Sequence, residues 1–312
     1  MKAGEHYSAS SVLASGRWYR IAVTGDGIYR IDYSRLKHLG LENPSDPRLF
    51  GNNCGQLSYY NDGTAPDDLR EIAIFTSTGN DGVFNEGDYL LFYGRGPHRW
   101  VFDRSAGTYD FVRHNFSDTA FYFITSGLVP GKRITTYAVP AGPATFFSSA
   151  SDVLYIYENE TENLIGSGRE WYEPVTYLKE TGINPWFNNI VTDEPVKYSL
   201  RVLARSGSAT SFRLLQDGNP VTSVTVTPTS TSSTTGAFAQ TGSIGGEYPP
   251  SSSSPVFSLK FDNNGDPSAK GWIDYLKLQA RRQNIFEGQM MQFNDSRSAG
   301  TGIVTEFTIK SN

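Results

Sequence analysis

Ile72-Ala73-Ile74-Phe75-Thr76-Ser77-Thr78-Gly79-Asn80-Asp81-Gly82-Val83-Phe84-Asn85-Glu86-Gly87-Asp88-Tyr89-Leu90-Leu91-Phe92-Tyr93-Gly94 sets two β-branched and aromatic runs around a segment rich in Gly, Asn and Asp. Gly and Asn tolerate the positive φ of tight turns, so the stretch predicts a β-hairpin. Its second run, Tyr89 to Tyr93, is apolar without alternation, which predicts a strand covered on both faces.

The connecting segment poses the first chemical question. Asp81, Asn85 and Asp88 offer the oxygen ligands that Ca²⁺ prefers, at a spacing that is not the EF-hand spacing. Asx residues also form turns by bonding their own backbone, which is the ordinary reading. The same two readings apply to Asp262, Asn264 and Asp266 in the later loop Asp262-Asn263-Asn264-Gly265-Asp266.

Composition extends the β reading to the whole chain. The 312 residues include 18 Tyr, 19 Phe and 31 Gly with only 19% charged residues, a profile of strands joined by turns. A net charge of −5 gives no basic face for nucleic acid. Cys54 is the single cysteine, so neither an internal disulfide nor a cysteine-based zinc site is available within one chain. No apolar run reaches the length of a transmembrane helix. Met1 to Ser11 lacks the apolar core of a signal peptide, which leaves two expectations: an unsecreted protein, or a piece of a longer precursor.

Taken in order, residues 1–15 read as a flexible arm, 16–140 as an N-terminal β domain and 141–312 as a β-sandwich or jelly-roll-like domain. Pro140-Ala141-Gly142-Pro143 is the linker between them. Arg17 to Val23 and Gly27 to Ile31 read as a second hairpin, and Tyr33 to Leu39 as a short helix closed by Gly40. Leu154, Tyr157, Thr161 and Leu164 fall at helical spacing and predict a helix near 152–165, with Glu158, Glu160 and Glu162 toward solvent. Val196–Leu203, Ser211–Leu215, Val221–Val226, Val256–Phe261, Trp272–Ala280 and Ile303–Ile309 supply strands for the sandwich. The expected class is all-β with one or two short helices.

Catalytic candidates are sparse. Cys54 sits in Gly51-Asn52-Asn53-Cys54-Gly55, which reads as a turn, and its conceivable bases are His6, His38, His98 and His114. Glu158, Glu160, Glu162, Glu170 and Glu173 supply carboxylates, but without a glycosidase signature. A solvated acidic surface accounts for them. Exposed Trp and Tyr beside the Asx loops would suit sugar stacking.

The ordered motifs are more telling. Gly16-Arg17-Trp18-Tyr19-Arg20-Ile21 precedes Gly27-Ile28-Tyr29-Arg30-Ile31, Asp81-Gly82-Val83-Phe84-Asn85-Glu86-Gly87-Asp88 and Phe92-Tyr93-Gly94. Then come Ser167-Gly168-Arg169-Glu170-Trp171-Tyr172, Gly271-Trp272-Ile273-Asp274-Tyr275 and Asp295-Ser296-Arg297-Ser298. From about residue 11 onward this series resembles the N-terminal region of the PorU-like type IX secretion sortases of Bacteroidetes, which are gingipain-related cysteine peptidases.

The resemblance implies a parent protein on the outer-membrane cell surface that removes C-terminal signals from secreted cargo. It places the catalytic Cys and His in a separate α/β domain, and no motif of that domain occurs in these 312 residues. The chain itself is therefore expected to be non-enzymatic, a scaffold or docking module without a cofactor. Its expected partners are the parent's catalytic domain, cargo or other secretion components. The alternative is a stand-alone surface protein that binds carbohydrate or mediates adhesion.

Overall fold

A computed structural model describes residues 8–41, 44–52, 55–60, 65–127, 129–140 and 142–311. The chain is all-β and divides into two compact units. One runs up to Val101 and includes Phe111–Val139; the other comprises Phe102–Asp110 and the chain from Pro140 onward. The second unit thus takes in an internal segment that the expected boundary at 140 gives to the first.

The first unit holds β1 (Tyr19–Val23), β2 (Gly27–Asp32), α1 (Tyr33–His38), β3 (Pro47–Gly51), β4 (Arg70–Ile72), β5 (Phe75–Thr76) and β6 (Tyr89–Gly94). The chain continues through β7 (Arg99–Asp103) and β8 (Thr108–Val112), a pair whose tip belongs to the second unit, and then β9 (Ala120–Ser126). Its sheets have the orders β1-β9-β3-β4 and β2-β6-β5. Val23, Leu49 and Ile124 from one sheet and Leu90 and Phe92 from the other share a core with Leu36 of α1.

The expected hairpin at 72–94 forms between β5 and β6, with Phe75 opposite Leu91 and Thr76 opposite Leu90. Its first run divides, however, because β4 joins the other sheet. β6 also alternates after all: Leu90 and Phe92 are buried while Tyr93 is 45% exposed, since only one face of its sheet meets the core. The expected hairpin of 17–23 with 27–31 does not form. β1 pairs with β9 and β2 with β6. The Asp26 carboxylate accepts a bond from Gly96 N at 2.8 Å, which pins the turn beside the segment after β6 and carries the chain from one sheet to the other. Nor is the arm loose throughout. Val12–Ala14 forms a 3-10 turn, and Asp68 accepts bonds from Ser11 Oγ at 3.0 Å and Val12 N at 2.6 Å.

The second unit adds β10 (Phe146–Ser148), β11 (Ala150–Tyr157), β12 (Glu173–Val175), β13 (Thr181–Ile183), β14 (Val196–Arg205), β15 (Thr210–Gln216), β16 (Asn219–Val226) and β17 (Gln240–Tyr248). β18 (Phe257–Asp262), β19 (Lys270–Gln283), β20 (Ile285–Phe286), β21 (Thr305–Phe307) and β22 (Lys310–Ser311) follow. One sheet runs β11-β19-β14-β17, with β12 also on β19, and the other runs β13-β18-β15-β16. Their inner faces supply one core of Leu200, Val202, Ile273, Leu276 and Leu278 against Phe212, Leu214, Phe257, Leu259 and Phe261. This is the expected sandwich.

The helix expected near 152–165 is instead β11 followed by a loop. Val153, Tyr155, Ile156 and Tyr157 are strand formers. Eight residues pair antiparallel with β19, and Val153, Tyr155 and Tyr157 pack on the core. The apolar spacing fits either period over so short a run. Ile303–Ile309 is likewise not one sandwich strand, since only Thr305–Phe307 is extended there, parallel to β10. β17, rich in glycine, is a strand that apolar alternation does not reveal.

Candidate functional site

The outer face of the five-stranded sheet gathers the unit's polar and charged side chains. β14 and β19 alternate on either side of a bulge at Asp274, where the register between them shifts: Val196, Leu200 and Val202 and Leu276, Leu278 and Ala280 turn to the core. Lys197, Ser199 and Arg201 and Tyr275, Lys277, Gln279 and Arg281 are left for the opposite face.

At one end Arg281 lies between two carboxylates. Its Nη1 donates to Asp152 Oδ1 at 2.7 Å and Asp295 Oδ1 at 3.0 Å, and its Nη2 donates to Asp295 Oδ2 and the Ala150 carbonyl, both at 2.7 Å. Asp295 also accepts from Ser148 Oγ at 2.7 Å and Arg297 N at 3.0 Å. Burial drives the Asp295 carboxyl upward, but Arg281 and Ser148 outweigh it and hold it below the usual carboxylate range. Burial alone would lower Arg281; its two carboxylates raise it.

Beside this group Tyr109 OH donates to Asp152 Oδ2 at 3.0 Å, and the Tyr109 backbone is held on both sides by one amide. Gln279 Oε1 accepts from Tyr109 N at 2.9 Å, and Gln279 Nε2 donates to Tyr109 O at 2.7 Å. Burial, with Asp152 adding to it, pushes the Tyr109 hydroxyl up to about 12. Lys197 Nζ donates to Gly107 O at 2.9 Å, and Lys277 pairs with Asp110. Two open clefts adjoin, one of ≈ 330 Å³ beside Phe102, Tyr109, Glu194 and Arg297 and one of ≈ 570 Å³ over Ser199, Gly245 and Lys277.

At the other end two of the sequence motifs meet. Trp272 Nε1 donates to Glu162 Oε2 at 2.7 Å, and the backbones of Glu162 and Tyr172 exchange two bonds of 2.9 Å. Tyr172, Leu203 and Trp272 form a small apolar cluster. Arg201 Nη1 donates to Asp274 Oδ2 at 2.7 Å, with Glu170 Oε1 3.6 Å from Nη2. Burial raises the Asp274 carboxyl, against the pull of Arg201. These groups are engaged with one another, and their chemistry is that of a braced polar surface.

The residues singled out by sequence lie elsewhere or serve structure. Asp81 accepts from Val83 N at 2.9 Å and Asn85 Nδ2 at 2.7 Å, and Asp88 accepts from Asn85 N at 2.9 Å and Ser77 Oγ at 3.2 Å. Asp262 accepts from Asn264 N at 3.0 Å, and Asp266 from Ser206 Oγ at 2.8 Å and Ser268 Oγ at 2.6 Å. Donors thus already point at these carboxylates, as in Asx turns. Among the described residues no group of three or more His, Cys, Asp or Glu is placed to hold a metal. Of the other glutamates, Glu173 accepts from Asn159 Nδ2 at 3.0 Å, and Glu160 is exposed. His98 Nδ1 accepts from His114 N at 3.0 Å, so these two histidines are neighbours in the first unit, whereas Cys54 and His6 lie outside the described residues. No described helix is long and apolar enough to cross a membrane.

Sequence reasoning missed Asp152, Arg201, Gln279 and Arg281. The signal available was the alternation through Tyr275-Leu276-Lys277-Leu278-Gln279-Ala280-Arg281, which places four large polar side chains on one face.

No family model matches this sequence, and no curated protein matches it. Among solved structures it is similar to dimeric latent PorU from Porphyromonas gingivalis, with a TM-score of 0.74 and 19% identity over 91% of this chain. That match covers 26% of the PorU chain, so this chain spans about a quarter of its length. A calcium- and xylotriose-bound carbohydrate-binding module, CBM36, aligns with a TM-score of 0.26 and 10% identity, covering 41% of this chain and 98% of the module. The Bacillus thuringiensis δ-endotoxin Cry8Ea1 aligns with a TM-score of 0.27 and 12% identity, covering 75% of this chain and 41% of the toxin. Neither of these carries weight. By its fold, this chain is PorU-like.

Proposed function

We propose that this chain is the N-terminal, non-catalytic region of a PorU-like type IX secretion sortase, acting at the outer-membrane cell surface as a scaffold or docking module. It would carry the parent's catalytic domain, cargo or other secretion components. The observation that supports this most is the correspondence of 91% of the chain with a quarter of PorU, which spans both units. The engaged charges of the outer sheet face fit a supporting role, because Arg281, Asp152 and Asp295 spend their hydrogen bonds on one another.

Two measurements test the reading. An antibody to the 34.5 kDa chain, used on fractionated cells of the source organism, should detect a surface-associated band several times heavier. The purified chain should leave a peptide mimic of a C-terminal secretion signal uncleaved. A soluble band near 34.5 kDa, or cleavage abolished by Cys54→Ala, would overturn it.

A further inference from the structure

The edges of the second sandwich are not alike. β13 is three residues long, and β16 carries Pro220 and a bulge between Leu214 and Leu215 of its partner. β11 is capped at its start, where Asp152 N donates to Asn294 O at 2.8 Å. Shortness, proline and bulges are the usual ways to blunt an edge. β17 has none of them. Its nine residues pair with β14 from Val196–Tyr248 to Ala204–Gln240 without a register shift, and among the described residues no strand pairs with its other edge.

The far side of β17 is also open. Ser243, Gly245, Gly246 and Glu247 are exposed, and among the described residues 243–247 make no hydrogen bond outside the ladder with β14. Its glycines differ in cause. A Cβ at Gly242 would meet Val224 and Val226 at 3.0 Å, and one at Gly246 would meet the Tyr198 hydroxyl at 2.8 Å. At Gly245 no side chain comes within 4 Å; the neighbour is the Tyr198 carbonyl at 3.3 Å, and the position borders the ≈ 570 Å³ cleft. Internal packing accounts for two of these glycines, while the third keeps the cleft clear beside the free edge. A glycine in a strand interior often marks the close approach of a ligand or another backbone.

We propose that β17 is a β-augmentation site: an extended strand of a partner polypeptide pairs with Ser243–Glu247 through main-chain hydrogen bonds. The outward N–H and C=O groups of a regular strand match one other chemistry in spacing, that of an extended backbone. The partner residue facing Gly245 is large and lies over the cleft, replacing the side chain that glycine lacks. The inference rests on the edge alone and holds whatever the parent protein is.

The test uses the whole 312-residue chain. The probe is a capped, dye-labelled peptide of the β14 sequence Val196–Arg205, whose alternation already fits β17. Binding is read by anisotropy and located by amide hydrogen exchange. The outward amides within 243–247 should slow at least tenfold on saturation. Adjacent strand residues point their N–H groups to opposite edges, so one of Ser243→Pro and Ile244→Pro spares the ladder with β14. If that variant is Ser243→Pro, its urea midpoint should hold; if it is Ile244→Pro, whose side chain packs on the core, its midpoint should match that of Ile244→Ala. In either case it should bind at least tenfold more weakly than the matching non-proline chain. Unchanged exchange at 243–247, protection only elsewhere, or full binding by the correctly folded variant would overturn the proposal. So would a sedimentation dimer that this variant dissociates, which would make the occupant a second copy.

Discussion

Arg281 and Asp295, fourteen residues apart, face each other as a two-bond fork, with Nη1–Oδ1 at 3.0 Å and Nη2–Oδ2 at 2.7 Å. The pair ties Asp295-Ser296-Arg297-Ser298, a segment outside the sandwich sheets, to the C-terminal end of β19, and it does so where both side chains are more than nine-tenths buried. A buried pair gains little over an apolar replacement, but removing one partner strands the other's charge. Arg281→Ala should therefore destabilise the second unit by about 3–5 kcal/mol. Arg281→Ala combined with Asp152→Ala and Asp295→Ala should recover part of that loss. Urea unfolding followed by near-ultraviolet circular dichroism measures both.

The same pair fixes a pH dependence. Folding depresses the Asp295 carboxyl, so the stability it contributes is complete above its unfolded value, about 4, and is lost as the pH falls through the lower folded value. The stability gap between wild type and Asp295→Asn should be largest at pH 6 and close toward pH 2. Asp274, which burial raises, acts in the opposite sense, since its folded form takes up a proton more readily as the pH falls. Midpoints for wild type, Asp295→Asn and Asp274→Asn across pH 2–7 would separate the two signs. A gap for Asp295→Asn that stays constant would contradict this assignment.

Much of the fold was legible because burial alternates along β18, the first five residues of β15 and Tyr275–Ala280 of β19, and those runs appear in the sequence as period-two patterns. β11 was not legible. Leu154 and Tyr157 lie three apart, so helix and strand score alike until the β19 ladder decides between them. β17 hid because its glycines remove the apolar signal. The outer face was the least readable part. Arg281 and Asp152 are 129 residues apart, and Tyr109 and Gln279 are 170 apart. No local spacing encodes such pairings; only the sheet order brings them together.

Gly271 opens one of the sequence motifs, and its reason lies inside the sandwich. A Cβ there would stand 3.0 Å from Phe212 and from Phe261, whose rings stack at 4.7 Å. Gly271→Ala should overpack this contact and cost about 1–3 kcal/mol. The loss should shrink in Gly271→Ala/Phe212→Leu relative to Phe212→Leu alone, because the smaller side chain vacates the space. A double-mutant cycle in urea reports the coupling, and strict additivity would refute it.

The two Asx loops make a prediction about calcium. A cation needs several converging oxygen ligands, yet among the described residues no three His, Cys, Asp or Glu converge, and Asp81, Asp88 and Asp266 each have two donors that a cation would have to displace or share. Millimolar Ca²⁺ should move the thermal midpoint by less than about 1 °C; ligand binding at a hundredfold excess over Kd would contribute about 2.7 kcal/mol, which is several degrees for a domain of this size. Asp81→Asn should give the same result. A calcium-dependent rise that Asp81→Asn abolishes would instead assign the loop as a metal site.

Gln279 holds the Tyr109 backbone with both ends of a single amide, which makes the exposed turn after β7 the best place to see what that grip does. Asp103 Oδ1 accepts from Ser105 N at 2.8 Å and from Ala106 N at 3.2 Å, so the turn is ordered locally, with Arg104 exposed at its tip as a trypsin site. Gln279→Glu keeps the acceptor for Tyr109 N but places a second acceptor against Tyr109 O, where the amide had been a donor. Tyr109→Phe removes the bond to Asp152 and leaves the backbone grip intact. Cleavage of a folded chain follows the population of locally opened states. Trypsin should therefore cut after Arg104 at least tenfold faster in Gln279→Glu and only a few-fold faster in Tyr109→Phe. The urea midpoint of the sandwich should change little in either variant, because neither side chain reaches the core. Equal cleavage rates in wild type and Gln279→Glu would mean that Lys197 and Lys277, bonded to Gly107 and Asp110 on either side, carry the segment without the amide.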